Sequence, residues 1–102
     1  MDNSEKQLQQ RIGILESHYQ EWTETLIVEA EMQRTLEDQQ RQEIIQFVRL
    51  DSLPPGDIKW LALMDQQKQQ RDEFIKSNII KHQFIRDRHK VEKLELAISG
   101  KI

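Results

Sequence analysis

Residues 51–57 read Asp-Ser-Leu-Pro-Pro-Gly-Asp, and they hold both prolines of the 102-residue chain and one of its three glycines. Proline cannot continue a helix ladder, and it disfavours α geometry in the residue before it. Gly56 tolerates left-handed backbone angles. Asp57 suits the N-cap of a helix that starts just after it. The stretch therefore predicts a turn that ends one helix and opens another. On both sides the chain is rich in Gln, Glu, Lys and Leu, which favour helix by intrinsic propensity.

Upstream of the turn, apolar positions run Leu8, Ile12, Leu15, Tyr19, Trp22 and Leu26, at spacings of 4, 3, 4, 3 and 4. This is the a/d alternation of a coiled-coil seam, and strand alternation fits none of it. These six residues are the predicted helix-packing seam. Ile14, Ile27, Val28 and Met32 lie off it and widen the apolar face, so the arm is expected to meet more than one neighbour. Ser4 with Gln7 fits a capping box at the start. The stretch 37–43 has no apolar residue and no Gly or Pro, so it is expected to stay helical while solvated. Apolar character returns at Ile44, Ile45, Phe47, Val48 and Leu50.

Downstream, Ile58, Trp60, Leu61, Leu63 and Met64 precede a second polar stretch, 65–73. The doublets Phe74/Ile75, Ile79/Ile80 and Phe84/Ile85 follow, then Val91, Leu94 and Ile98. Ser99-Gly100 predicts the stop. Repeated doublets make a wider apolar surface than one neighbouring helix covers. Its two readings are bundle core and a face that receives a partner helix.

Folding the chain back at Pro54 places Gln40 opposite Lys68, Ile44 opposite Met64, Trp22 opposite Arg86, and His18 near His89. Both glutamine-rich waists then fall at one height, as an antiparallel pair requires. The predicted fold is all-α: an antiparallel helical hairpin with long arms, about 4–50 and 58–98, joined by the turn at 51–57. It is read as a single helical domain over 1–102. An arm of that length spans about 70 Å, and a two-helix ribbon leaves apolar surface open. Two outcomes relieve this: two hairpins form a four-helix bundle as a dimer, or the arms bend at the waists.

Only 36% of residues are hydrophobic and 32% are charged, a composition that supports a thin core and points to self-association. Residues 1–56 carry 11 acids and 5 bases, and residues 71–102 carry 5 acids and 8 bases. Attraction between the arms is the simplest account of that asymmetry. There is no cysteine, which excludes disulfides and thiolate metal sites. The first residues are polar with no apolar core of a secretory signal, and the longest apolar run, Trp60 to Met64, is too short to span a bilayer. A cytoplasmic protein is expected.

No phosphate-cradling loop, HExxH or nucleophile signature is present, so neither an enzyme nor a cofactor is expected. His18, His82 and His89 lack close metal-ligand spacing, and packed or solvated imidazoles are the default reading. The bases Lys76, Lys81, Arg86, Arg88, Lys90 and Lys93 spread around a helix instead of forming one stripe. A small dimeric nucleic-acid-binding or regulatory protein using the basic C-terminal helix is the runner-up, and nucleic acid is not the expected partner.

Glu21-Trp22 with Leu26 and Glu29, the Leu53-Pro-Pro-Gly56 connection, Leu61 with Asp65, and Arg71-Asp72 before an apolar-basic last helix resemble the FliT-type flagellar export chaperones, over about residues 8–95. The tail from Leu94 to Gly100 departs from that pattern, because it lacks an aromatic ending. The resemblance implies a helical cytoplasmic chaperone that shields a secretion substrate, such as the filament-cap protein, by taking its helix into an apolar groove. The residues it carries over as partner-binding are Phe74, Ile75, Ile79, Ile80, Phe84 and Ile85. The functional expectation is a non-enzymatic protein-binding chaperone or adaptor that forms a homodimer.

Overall fold

The computed structural model describes residues 3–51 and 57–99. Two helices account for them, α1 at Asn3–Asp51 and α2 at Ile58–Ser99, with no strand among the described residues. They run antiparallel as a helical hairpin. The Pro-Pro-Gly stretch and the Gly100 stop lie outside the described residues.

Both polar waists remain helical without interruption. Side-chain bonds between residues four apart support them: Gln33 donates to Glu37, and Gln69 donates to Asp65. Each such pair is worth about 0.2–0.5 kcal/mol. Asp57 caps α2, its carboxylate accepting from the Lys59 N–H at 2.8 Å while its carbonyl accepts from the Leu61 N–H at 2.9 Å. The start of α1 differs from expectation. Ser4 already lies inside the helix, so it is not the N-cap.

The chain packs as two units, each holding a stretch of both helices: Met1–Ile27 with Ile80–Ile102, and Val28–Ile79. In the second unit, Phe47 and Trp60 pack with ring centroids 5.7 Å apart. Ile44, Leu63 and Met64 are half-buried with them. Beyond these residues the inward positions become polar, with Gln40 and Gln67 buried. In the first unit the inward positions are Ile14, His18, Glu21, Trp22 and Thr25 on α1, and His82, Ile85, His89, Glu92 and Leu96 on α2. Ile85 is the one buried hydrophobic side chain among the described residues.

The expected helix-packing seam is corrected by this arrangement. Leu8, Ile12, Leu15, Tyr19 and Leu26 are exposed, Tyr19 at 75%, and only Trp22 of the six is half-buried. The face turned toward α2 runs one residue earlier, through Ile14, His18 and Thr25. Periodicity establishes that the six share a face of α1. It does not establish which neighbour that face meets.

Candidate functional site

Two polar clusters hold the helices together, one in each unit, and both are reciprocal. In the second unit, the Gln67 side-chain amide donates to the Gln40 main-chain carbonyl at 2.9 Å, and the Gln40 amide donates to the Gln67 carbonyl at 3.0 Å. Each amide also uses its second N–H. Gln40 donates to Gln70 at 3.0 Å, and Gln67 donates to Glu43 at 3.3 Å. Arg71 donates to the Gln40 amide oxygen. Gln67, at 2% exposure, is the most buried large side chain described. The waist was expected to be solvated, and at these two residues it is the packed contact. A buried amide with all its N–H groups placed carries little desolvation penalty.

In the first unit, His18 and His89 stack face to face across the hairpin, with ring centroids 3.6 Å apart and planes 8° from parallel. Each imidazole donates from Nε2 to a carboxylate of the opposite helix, His18 to Glu92 at 2.6 Å and His89 to Glu21 at 2.5 Å. A carboxylate only accepts, so the proton sits on Nε2 in both rings. Nδ1 of His18 is buried with no hydrogen-bond partner. Trp22 packs nearly perpendicular to His82 and His89, with ring centroids 5.3 and 6.1 Å away. Arg88 donates to Glu21 and lies 3.8 Å from Glu92. The bonds from Arg88 and then His89 hold the Glu21 carboxyl below its ordinary pKa, and the bond from His18 does the same for Glu92. Glu21 in turn raises Arg88.

This arrangement is built for fastening helices. No group of three or more His, Asp or Glu among the described residues is placed to hold a metal ion. The Glu21–Arg88 pair is one case of the expected attraction between an acidic first arm and a basic second arm.

The structure separates the six predicted partner-binding residues. Ile85, at 5% exposure, belongs to the hairpin interior and is not available to a partner. Phe74 is half-buried and lies with Met32 and Leu36 in an open groove of about 700 Å³ in the second unit. Ile75 and Ile79 in that unit, and Ile80 and Phe84 in the first, are exposed. Within the first unit Ile80 and Phe84 continue into Val91, Leu94 and Ile98, all exposed. At about 100° per residue this line points roughly 150° away from the positions that face α1. The doublets do not act alike: Phe84/Ile85 divides between exterior and interior, Phe74/Ile75 between half-buried and exposed, and Ile79/Ile80 is exposed at both positions.

Sequence reasoning did not find the glutamine lock or the two histidine–carboxylate bonds. Their signal was the fold-back register, which set Gln40 beside Lys68 and His18 beside His89. No family model matches the chain, and neither does a curated protein or a solved structure.

Proposed function

We propose that this chain is a non-enzymatic, cytoplasmic protein-binding chaperone or adaptor that works as a homodimer, and that its client is a secretion or flagellar export substrate. The observation that supports this reading is the placement of its apolar side chains. Nineteen large hydrophobic residues are exposed, against one that is buried, among the described residues. Polar bonds fasten the hairpin, which leaves the apolar faces open to other helices. Exposed apolar surface of this extent marks an interaction site. No helix among the described residues is long and apolar enough to cross a membrane.

The outward line on α2, Ile80, Phe84, Val91, Leu94 and Ile98, suits an amphipathic helix of the client. Lys81 and Lys90 flank it, one on each side at about 90° of rotation, so the preferred client helix carries acidic flanks. Those same cations are what the competing nucleic-acid reading uses. Arg88 is already held by Glu21 and Glu92, which takes one cation away from a phosphate-binding face.

The test is suppression of aggregation of purified flagellar export substrates, the filament-cap protein first. The wild-type chain is expected to keep a substrate soluble, and Ile80→Glu with Phe84→Glu to lose that effect while circular dichroism stays unchanged. Absence of suppression by the wild type, or equal suppression by the variant, would overturn the reading. A salt-dependent mobility shift with duplex DNA or RNA would favour the nucleic-acid alternative.

A further inference from the structure

Within the first unit the two helices bring the same short pattern to one groove. On α1 it is Arg11 with Ile14 and Leu15, and on α2 it is Lys93 with Leu96 and Ala97: a base, then aliphatic residues three and four places on. That spacing keeps the three side chains on one face of a helix. The six line an open groove of about 290 Å³, with Ile14 and Leu96 half-buried in its floor. Because the helices run antiparallel, the repeated pattern sets its two bases at opposite ends. The bonds of His18 to Glu92 and of His89 to Glu21 fix the register, and in it Lys93 lies level with Ser17. Arg11 stands six residues before Ser17 on α1, about 9 Å along the axis at 1.5 Å per residue. Aliphatic side chains fill the interval.

Neither base is neutralised within the unit. The residues three or four places from Arg11 are Gln7, Leu8, Ile14 and Leu15, and those from Lys93 are His89, Lys90, Leu96 and Ala97. No acid therefore stands where a helical neighbour could pair with either. No carboxylate lines the groove. Among the described residues no ion pair engages either base, whereas Arg88 on the same helix is held by Glu21 and Glu92. No aromatic ring, hydroxyl or side-chain amide lines the groove either, so it offers no stacking or neutral polar partner to a base or a sugar.

We propose that this groove binds a linear aliphatic dicarboxylate, one carboxylate on Arg11, the other on Lys93, and the methylene chain over Ile14, Leu15, Leu96 and Ala97. Charge complementarity at the two ends and an uninterrupted aliphatic floor between them select that class. A monocarboxylate satisfies one base only, and a short dianion cannot span the floor. The volume stands at the lower edge of ligand pockets, roughly 300–1,000 Å³, which suits a single chain and not a two-chain lipid. The Arg11 guanidinium can take its carboxylate with two parallel bonds, and the Lys93 ammonium acts as a point charge. Each ion pair is open to solvent and individually modest, so selectivity comes from meeting both ends at once. The site depends on neither the client nor the dimer of the proposed function.

The test titrates octanedioate into the purified chain and follows backbone amide shifts by NMR. Saturable shifts centred on residues 11–15 and 93–97 are expected, and added salt is expected to weaken them. Octanoate keeps the chain and loses one charge, while butanedioate keeps both charges and loses most of the chain. Each is expected to bind several-fold more weakly. Arg11→Gln and Lys93→Gln are each expected to weaken octanedioate binding by up to about fivefold, the scale of an exposed ion pair, and to bring it down to the level of octanoate. Ala97→Phe, at an exposed position, is expected to fill the groove and abolish saturable binding while circular dichroism stays unchanged. Absence of saturable shifts in the wild type would overturn the proposal. So would octanoate or butanedioate binding as tightly as octanedioate, or undiminished binding by Ala97→Phe or by either charge variant. Failure of client binding would leave all these measurements unaffected, which separates this proposal from the chaperone reading.

Discussion

Gln67 has hydrogen-bond partners for both of its N–H groups and almost no contact with water. Gln67→Ala removes both bonds and opens a small void, and a loss of about 2 kcal/mol is expected in urea unfolding. Replacing Gln40 and Gln67 together by Leu is expected to cost less than the two single changes combined. Apolar partners of similar volume leave no donor stranded between them, and a double-mutant cycle reads the difference. Glu21 and Glu92 give a pH prediction. Both are held below their ordinary pKa in the folded chain, so each stabilises the fold above the ordinary carboxylate value, ~4.3 for Glu. That contribution is lost as pH falls through the depressed folded value. Both carboxylates are partly exposed, so solvent screening keeps the effect small. The thermal midpoint is expected to fall on acidification below that range, and less steeply in Glu21→Gln.

The helices themselves were legible. The break at Pro54-Pro55-Gly56 and the lack of any other proline bounded two arms, and α1 and α2 occupy them. Asp57 caps as its position implied, and Asp57→Ala is expected to cost about 1 kcal/mol. Ser4 failed as a cap because propensity carries α1 past it toward the N-terminus. Gly13 stands inside α1, about three turns from its start, with open space around it. Nothing nearby requires a glycine there, so Gly13→Ala is expected to stabilise the chain by about 1 kcal/mol in thermal or urea unfolding. What the pattern of Leu8 to Leu26 could not reveal was its orientation. A heptad stripe states that six side chains share a face, but hydrogen-bond geometry at His18 and Glu21 decided which face α2 takes. Those bonds depend on the rotation of both helices, and neither sequence alone encodes that rotation as a periodicity.

At the level of the whole molecule, most large apolar side chains lie on other faces than the polar contacts that join the helices, while Ile85 and the Phe47–Trp60 pair are apolar contacts inside the hairpin. Polar side chains join α1 to α2 in each unit, and the apolar lines on both helices point elsewhere. The doublets show this at single-residue resolution. Ile85 enters the hairpin at 5% exposure, while Phe84 beside it stands 70% exposed. The partner-binding set drawn from the doublets was therefore partly legible: the apolar surface was visible in the sequence, but the burial of Ile85 beside the exposed Phe84 was not. The chaperone proposal depends on that division. Circular dichroism of two neighbouring variants, Phe84→Asp and Ile85→Asp, addresses it most directly. Ile85→Asp places an unpaired charge inside the hairpin and is expected to cost several kcal/mol, with a marked loss of helicity, whereas Phe84→Asp is expected to keep the wild-type spectrum and melting midpoint. Equal unfolding of the two variants, or greater loss in Phe84→Asp, would contradict the polar-seam arrangement.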